Sequence, residues 1–167
     1  MRKYSSFLLN AGLVAVVFFG ALAYQTRNML ATDGQIAPDL RGTTLAGEPY
    51  DLADASARPA LVYFFAPWCR ICAASAGNLN RLRRWRDVDD IEIVAVALDW
   101  STVNEVRDYA ERHELEVTVV LGGVSVARQW QIQAFPSYYV LNSAHEVVRR
   151  DVGYISLLGL WLRAWLI

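Results

Sequence analysis

Beyond position 60 the chain alternates between short apolar runs and segments carrying a helical stripe. Residues 60–66 read ALVYFFA, apolar at every position, which predicts a central strand covered on both faces. Residues 91–97 (IEIVAVA) predict a second strand with Glu92 near its start, and residues 117–121 a third. Residues 70–86 read as a helix, with Cys72, Ala76, Leu79 and Leu82 along one face. Thr102-Val103-Asn104-Glu105 has the form of a capping box. It opens a predicted helix to His113 in which Val103, Val106, Ala110 and His113 share a face. A short helix is expected over 124–130, and a hairpin over 138–141 and 146–152, turned by Asn142, Ser143, Ala144 and His145. The apolar segment 155–167 predicts a closing helix. At about a dozen residues, with Arg163 inside it, it is short for a bilayer span and is expected to dock on the sheet. Ahead of the first strand, residues 40–52 alternate around Gly42 and Gly47 as a small irregular hairpin. Strands alternating with helices, then a terminal hairpin and helix, predict an α/β fold with a central mixed sheet flanked by helices.

The N-terminus follows a different pattern. Residues 7–24 (FLLNAGLVAVVFFGALAY) carry no charge, with Asn10 the one strongly polar interruption. Such a length is at the short end of what spans a hydrocarbon core of about 30 Å. Arg2 and Lys3 precede it, whereas Arg27, Asp33 and Asp39 follow with no positive excess. The positive-inside rule then keeps the N-terminus in the cytoplasm and sends the remainder outward. Residues 1–24 are therefore expected to be a transmembrane anchor. A cleaved signal peptide is the alternative, since Ala21-Leu22-Ala23 has the small-x-small form of a cleavage site. Either way the folded part lies outside the cytoplasm. Residues 25–37, with Thr, Asn, Asp and Gly before Pro38, read as a linker, and 38–167 as the domain.

Composition narrows the chemistry. With 54% hydrophobic and 20% charged residues a packed core is feasible, and a net charge of −1 gives no reason to expect nucleic acid as a partner. The two cysteines are separated by two residues, too close to staple distant parts of a domain. A Cys-x-x-Cys is also half of many zinc sites, but no second pair is present, and His113 and His145 are the only histidines; no metal is expected. The pair follows directly on the predicted central strand. Cys69 then sits at a helix N-terminus, where unpaired N–H groups and the helix dipole favour an anion. A thiolate is the reactive form, and this position lowers a cysteine pKa below its usual value of about 8.5. Arg70 adds to the same effect. Cys72, nearly one turn deeper, is close enough to close a disulfide ring. Cys69 is expected to attack a partner and Cys72 to resolve the mixed disulfide.

Ala66-Pro67-Trp68-Cys69-Arg70-Ile71-Cys72 resembles the active-site motif of the thioredoxin-like superfamily. Phe135-Pro136-Ser137 before a strand resembles its cis-proline loop, and Gly153 the glycine before its last helix. The hydrophobic N-terminus, the entrance hairpin and the Val152-Gly153-Tyr154 stretch are similar to the TlpA-like branch, and within it to the periplasmic suppressor of copper sensitivity D type. The resemblance covers about residues 36–167. It implies a thioredoxin-like fold, a redox-active disulfide between Cys69 and Cys72, and no cofactor. It also implies a cis Pro136 that sets the backbone of Phe135 beside the disulfide to receive a substrate strand, with Trp68 flanking the thiolate. Two departures stand out. Tyr63 occupies the place, six residues before the first cysteine, where relatives often bury an acid. Arg70-Ile71 lacks the proline common in reducing members.

These residues lead to an inner-membrane, single-pass protein disulfide oxidoreductase facing the periplasm or exterior. Its partners would be cysteine-containing proteins and a membrane electron-transfer protein. The alternatives are a thiol reductase of cytochrome c maturation and a copper-handling protein using the two thiolates as soft ligands. The cytochrome c reading lacks a Gly-rich segment at Trp130-Gln131-Ile132-Gln133-Ala134. A peroxidase would want a threonine three residues before its attacking cysteine, where this chain has Ala66. The arginines Arg81, Arg83, Arg84 and Arg86 read as a solvated face near a helix end.

Overall fold

The computed structural model describes residues 26–55 and 58–165, together with positions 12–14, 16, 17 and 20. Seven strands form one sheet: β1 (Arg41–Thr44), β2 (Pro49–Asp51), β3 (Ala60–Phe65), β4 (Glu92–Ala97), β5 (Thr118–Leu121), β6 (Ser137–Leu141) and β7 (Val147–Val152). Their order is β2-β1-β5-β4-β3-β6-β7. β3, β4 and β5 run parallel, and the hairpin β6–β7 joins antiparallel beside β3. The sheet is thus mixed, and the fold is thioredoxin-like. β3 lies inside the sheet between β4 and β6, with all six residues buried, as expected for a strand apolar at every position.

Alternate residues of β3 divide the core. Leu61, Tyr63 and Phe65 meet three helices: α1 (Arg70–Trp85), α2 (Val103–Arg112) and α4 (Leu157–Trp165). Val62 and Phe64 meet Trp130, just past α3 (Val124–Gln129), and Met29 and Leu30 near the N-terminus. Two asparagines fasten α1 from its buried side. Asn80 Nδ2 donates to the carbonyls of His113 and Glu114, and its Oδ1 accepts from Glu116 N. Asn78 Nδ2 donates to Ile155 O and to the Tyr154 hydroxyl, tying α1 to the entry of α4. Gly159 permits the tight start of α4, because a Cβ there would lie 2.8 Å from Ile155 Cγ2.

Several expectations change. Part of the expected linker packs on the sheet: Met29, Leu30 and Ala37 are buried, and Arg150 donates to the carbonyls of Met29 and Leu30 at 2.7 and 2.6 Å. Leu30 N donates to the Tyr139 hydroxyl, and Ile36 bridges to Glu146. In α2 Val106 is buried on the expected face, with Val103, Ala110 and His113 half-buried beside it, and Tyr109 adds a buried ring to the same side. The capping box closes one residue early: Thr102 Oγ1 accepts from Glu105 N, but Glu105 reaches Ser101 N. The arginine run is mostly engaged. Arg83 donates to the carbonyls of Arg86, Asp87 and Ile91, Arg84 pairs with Glu116, and Arg86 with Asp90. The expected anchor falls largely outside the described residues; its six described positions are helical, and no described helix is long and apolar enough to cross a membrane.

Candidate active site

The carboxyl end of β3 delivers the chain into α1 through Ala66, Pro67 and Trp68. Cys69 N donates to Ala66 O at 3.0 Å, and this turn sets Cys69 as the N-cap of α1. Its backbone is extended (φ −78°, ψ 108°), and its Sγ accepts from Cys72 N at 3.1 Å. A sulfur therefore holds the position that Ser, Thr, Asp or Asn usually takes, facing the unpaired amides of the first turn. Cys69 and Cys72 are joined in a disulfide with Cα atoms 5.2 Å apart. Cys72 is fully buried, whereas Cys69 keeps 7% exposure. Arg70 is the first residue of α1 and is exposed.

The loop before β6 meets the motif from the other side. The Phe135–Pro136 peptide bond is cis, and Pro136 is buried. Register pairs Ser137 with Phe64, so Pro136 continues level with Phe65 at the same edge of the sheet as the cysteines. The Phe135 ring meets the Trp68 indole edge-on, centroids 5.8 Å apart. Trp68 is 63% exposed, and its Nε1 donates to Asp99 O and Oδ2, each at 3.1 Å. A groove of about 970 Å³ opens beside these residues, lined in part by Asp99, Trp100, Gly122, Arg128 and Phe135. Gly122 allows the close approach of strands there, since a Cβ would fall 2.7 Å from Leu98 Cδ2.

Behind Cys72 lies a set of phenols. The Tyr63 hydroxyl donates to Cys72 O at 3.2 Å, and its ring centroid is 5.0 Å from that of Tyr138. Tyr109 stacks on Phe65 at 4.6 Å. The hydroxyls of Tyr109 and Tyr138 are buried with no hydrogen-bond partner. Burial, followed by the neighbouring phenols, pushes the Tyr63 pKa far above its ordinary value, and burial pushes that of Tyr109 to about 12. These phenols stay neutral at working pH. Where an acid would carry a proton to or from Cys72, this chain has a neutral donor on its carbonyl.

The structure thus brings Trp68, Cys69, Arg70, Cys72 and Pro136 to one end of the sheet. It adds Asp99, Tyr109 and Tyr138, none of which the sequence reading singles out. Asp99 does carry a legible signal, since it follows the second parallel strand at the carboxyl edge where α/β sheets meet ligands. Tyr109 needs the exact rotation of α2, which a short helix with one stripe leaves open.

Residues 34–150 match the AhpC/TSA family. The chain belongs to that family. It is 26% identical over 154 residues to the thioredoxin-like protein YneN of Bacillus subtilis, covering 87% of this chain and 90% of the relative. It is 29% identical over 124 residues to a thioredoxin-like protein of Haemophilus influenzae, covering 74% and 67%. Among solved structures, a thiol:disulfide interchange protein of the thioredoxin family from Chlorobium tepidum superposes with a TM-score of 0.74 at 19% identity, covering 82% of this chain and 98% of that one. A secreted Mycobacterium tuberculosis disulfide oxidoreductase homologous to E. coli DsbE gives 0.68 at 20% identity, covering 77% and 96%. These likenesses establish the fold. AhpC/TSA membership and the Cys-x-x-Cys disulfide together make the chain a thiol–disulfide oxidoreductase.

Proposed function

We propose that this protein is a membrane-tethered, extracytoplasmic oxidoreductase that reduces or exchanges disulfides of cysteine-containing proteins, with Cys69 as nucleophile and Cys72 as resolving thiol. The observation that carries the reading is the Cys69 sulfur at the N-cap of α1, with Cys72 sealed beneath it. In the reduced enzyme the Cys69 thiolate attacks one sulfur of a substrate disulfide. A mixed disulfide forms and one substrate thiolate leaves. Cys72, losing its proton, then attacks Cys69 Sγ and expels the second substrate thiolate. Two electrons pass to the substrate and the Cys69–Cys72 disulfide is left, to be reduced again by a membrane electron-transfer partner. Pro136 and Phe135 hold the substrate segment against the pair, and Trp68 shields the thiolate. The apolar, uncharged run at 7–24 behind Arg2 and Lys3 supports the tether and an inner-membrane location with the domain outside.

The roles separate in a trapping experiment. Cys72→Ala is expected to accumulate mixed disulfides with partner proteins, while Cys69→Ala accumulates few; reversed yields would overturn the assignment. Wild-type protein is expected to reduce insulin in the presence of a dithiol. Titration with Cu(I) in the same buffer tests the copper-handling alternative, which requires tight binding that both alanine variants abolish.

A further inference from the structure

The closing helix α4 is apolar on two faces. Leu160 and Ala164 are buried in the core with Ile155, as a docking helix requires. On the outward side Tyr154, Leu158, Leu162 and Trp165 are 56%, 65%, 42% and 60% exposed, and Trp161 stacks on Trp165 at 5.6 Å. Leu158, Leu162 and Trp165 follow i, i+4, i+7, so one continuous stripe points away from the protein. A helix with one apolar face in the core and a second facing outward suits a place where both of those faces meet apolar surroundings.

The point where the chain enters the domain says what lies on the outer side. Thr26 lines a cleft with Val148, Arg149, Arg150, Asp151 and Arg163, the last of these on α4. In the sequence only Gln25 separates Thr26 from Tyr24, the last residue of the apolar run. Met29 and Leu30 are buried and their carbonyls hold Arg150, so only a few positions of sequence separate the run from a fixed point on the domain. The surface around that cleft must stay close to wherever the run resides. The rim suits a headgroup layer: Arg149 is exposed beside Val148, and three arginines in the cleft outnumber Asp151. Tryptophan and tyrosine beside leucine is the composition of a membrane–water interface.

We propose that the outer face of α4 (Leu158, Trp161, Leu162 and Trp165), with Tyr154 just ahead of it, lies in the lipid headgroup region of the bilayer that holds residues 7–24. The inference rests on the tether reading and adds to it a second, peripheral contact, which fixes the domain's orientation on the membrane.

All six tryptophans lie between positions 68 and 165, so intrinsic fluorescence reports only on the domain and never on the apolar run. The full-length chain is reconstituted into phosphatidylcholine–phosphatidylglycerol vesicles with or without brominated acyl chains. Brominated lipid is expected to quench roughly a third of the tryptophan emission, the share of Trp161 and Trp165 at the interface. Replacing both by Phe should remove the quenched fraction while leaving membrane retention unchanged. Leu158→Asn with Leu162→Asn, which keeps both tryptophans, should reduce the quenched fraction by about half or more. Protein that resists alkaline extraction but shows unquenched tryptophan would overturn the α4 contact and leave the tether standing. A cross-linked dimer that shields Trp165 from the lipid would overturn the contact in the same way. Protein released by alkaline extraction, with unquenched tryptophan, would overturn tether and contact together.

Discussion

Arg70 is the residue best placed to make this active site differ from others of its fold. The helix N-terminus acts on Cys69 in any protein built this way, so it sets a baseline. Arg70 adds an exposed cation one residue on, and Tyr63 substitutes a neutral phenol for a buried negative charge. Both favour the thiolate, hence the reduced form, and a more stable reduced form is a more oxidising couple. Starting from a thioredoxin-like value of about −270 mV, a potential of roughly −200 to −240 mV is expected, well short of a strong oxidant near about −120 mV. Arg70→Gly should lower it by on the order of 20 mV, as solvent screens an exposed cation. A glutathione redox titration of both proteins measures this; an unchanged potential would remove Arg70 from the tuning residues.

At the level of elements, α2 links the site to the pH response of the fold. Tyr109 packs on Phe65 behind the active site, and His113, one turn later at the C-cap, lies 4.6 Å from the Tyr109 ring. Burial, and then the charge of Arg112, hold the His113 pKa below its ordinary value. The unfolded chain therefore binds this proton more readily than the native one. Stability rises with pH from the native pKa up to the unfolded value of about 6.5, and falls as pH drops through that window. His113→Gln should flatten the dependence. Urea midpoints at pH 7.5 and pH 5 are expected to differ less in the variant than in the wild type, and an equal difference would assign the slope to other groups.

For the whole molecule, the first packed residues matter more than their composition suggests. A version beginning at Gln35 would lose Met29 and Leu30 from the core and leave Arg150 without the two carbonyls it holds. One beginning at Thr26 keeps them. The shorter form is expected to be less stable by about 2–5 kcal/mol, a range set by two buried side chains and their cavity. Denaturant unfolding of the two soluble forms gives the comparison; equal stability would mean that the segment rests on the sheet without supporting it.

The sequence alone was sufficient wherever the signal is local. A run of seven apolar residues, rich in aromatic and β-branched side chains, reads as a strand buried on both faces, and a Cys-x-x-Cys directly after it opens at the edge where that strand ends. Helix stripes, the hairpin turn and the deeper burial of Cys72 relative to Cys69 follow from spacing of the same kind. What the tertiary structure decided depends on residues far apart in the chain. Asp99 reached Trp68 across 31 positions, and Arg150 reached Met29 across 121. The polar composition of residues 25–37 reads as a linker because apolar residues are few there, yet two of them suffice once a sheet face is waiting for cover. The outward stripe of α4 shows the same limit from the other side. Periodicity reveals that a helix has an apolar face to bury, but a helix with two such faces shows which one meets the protein only after the chain has folded around it.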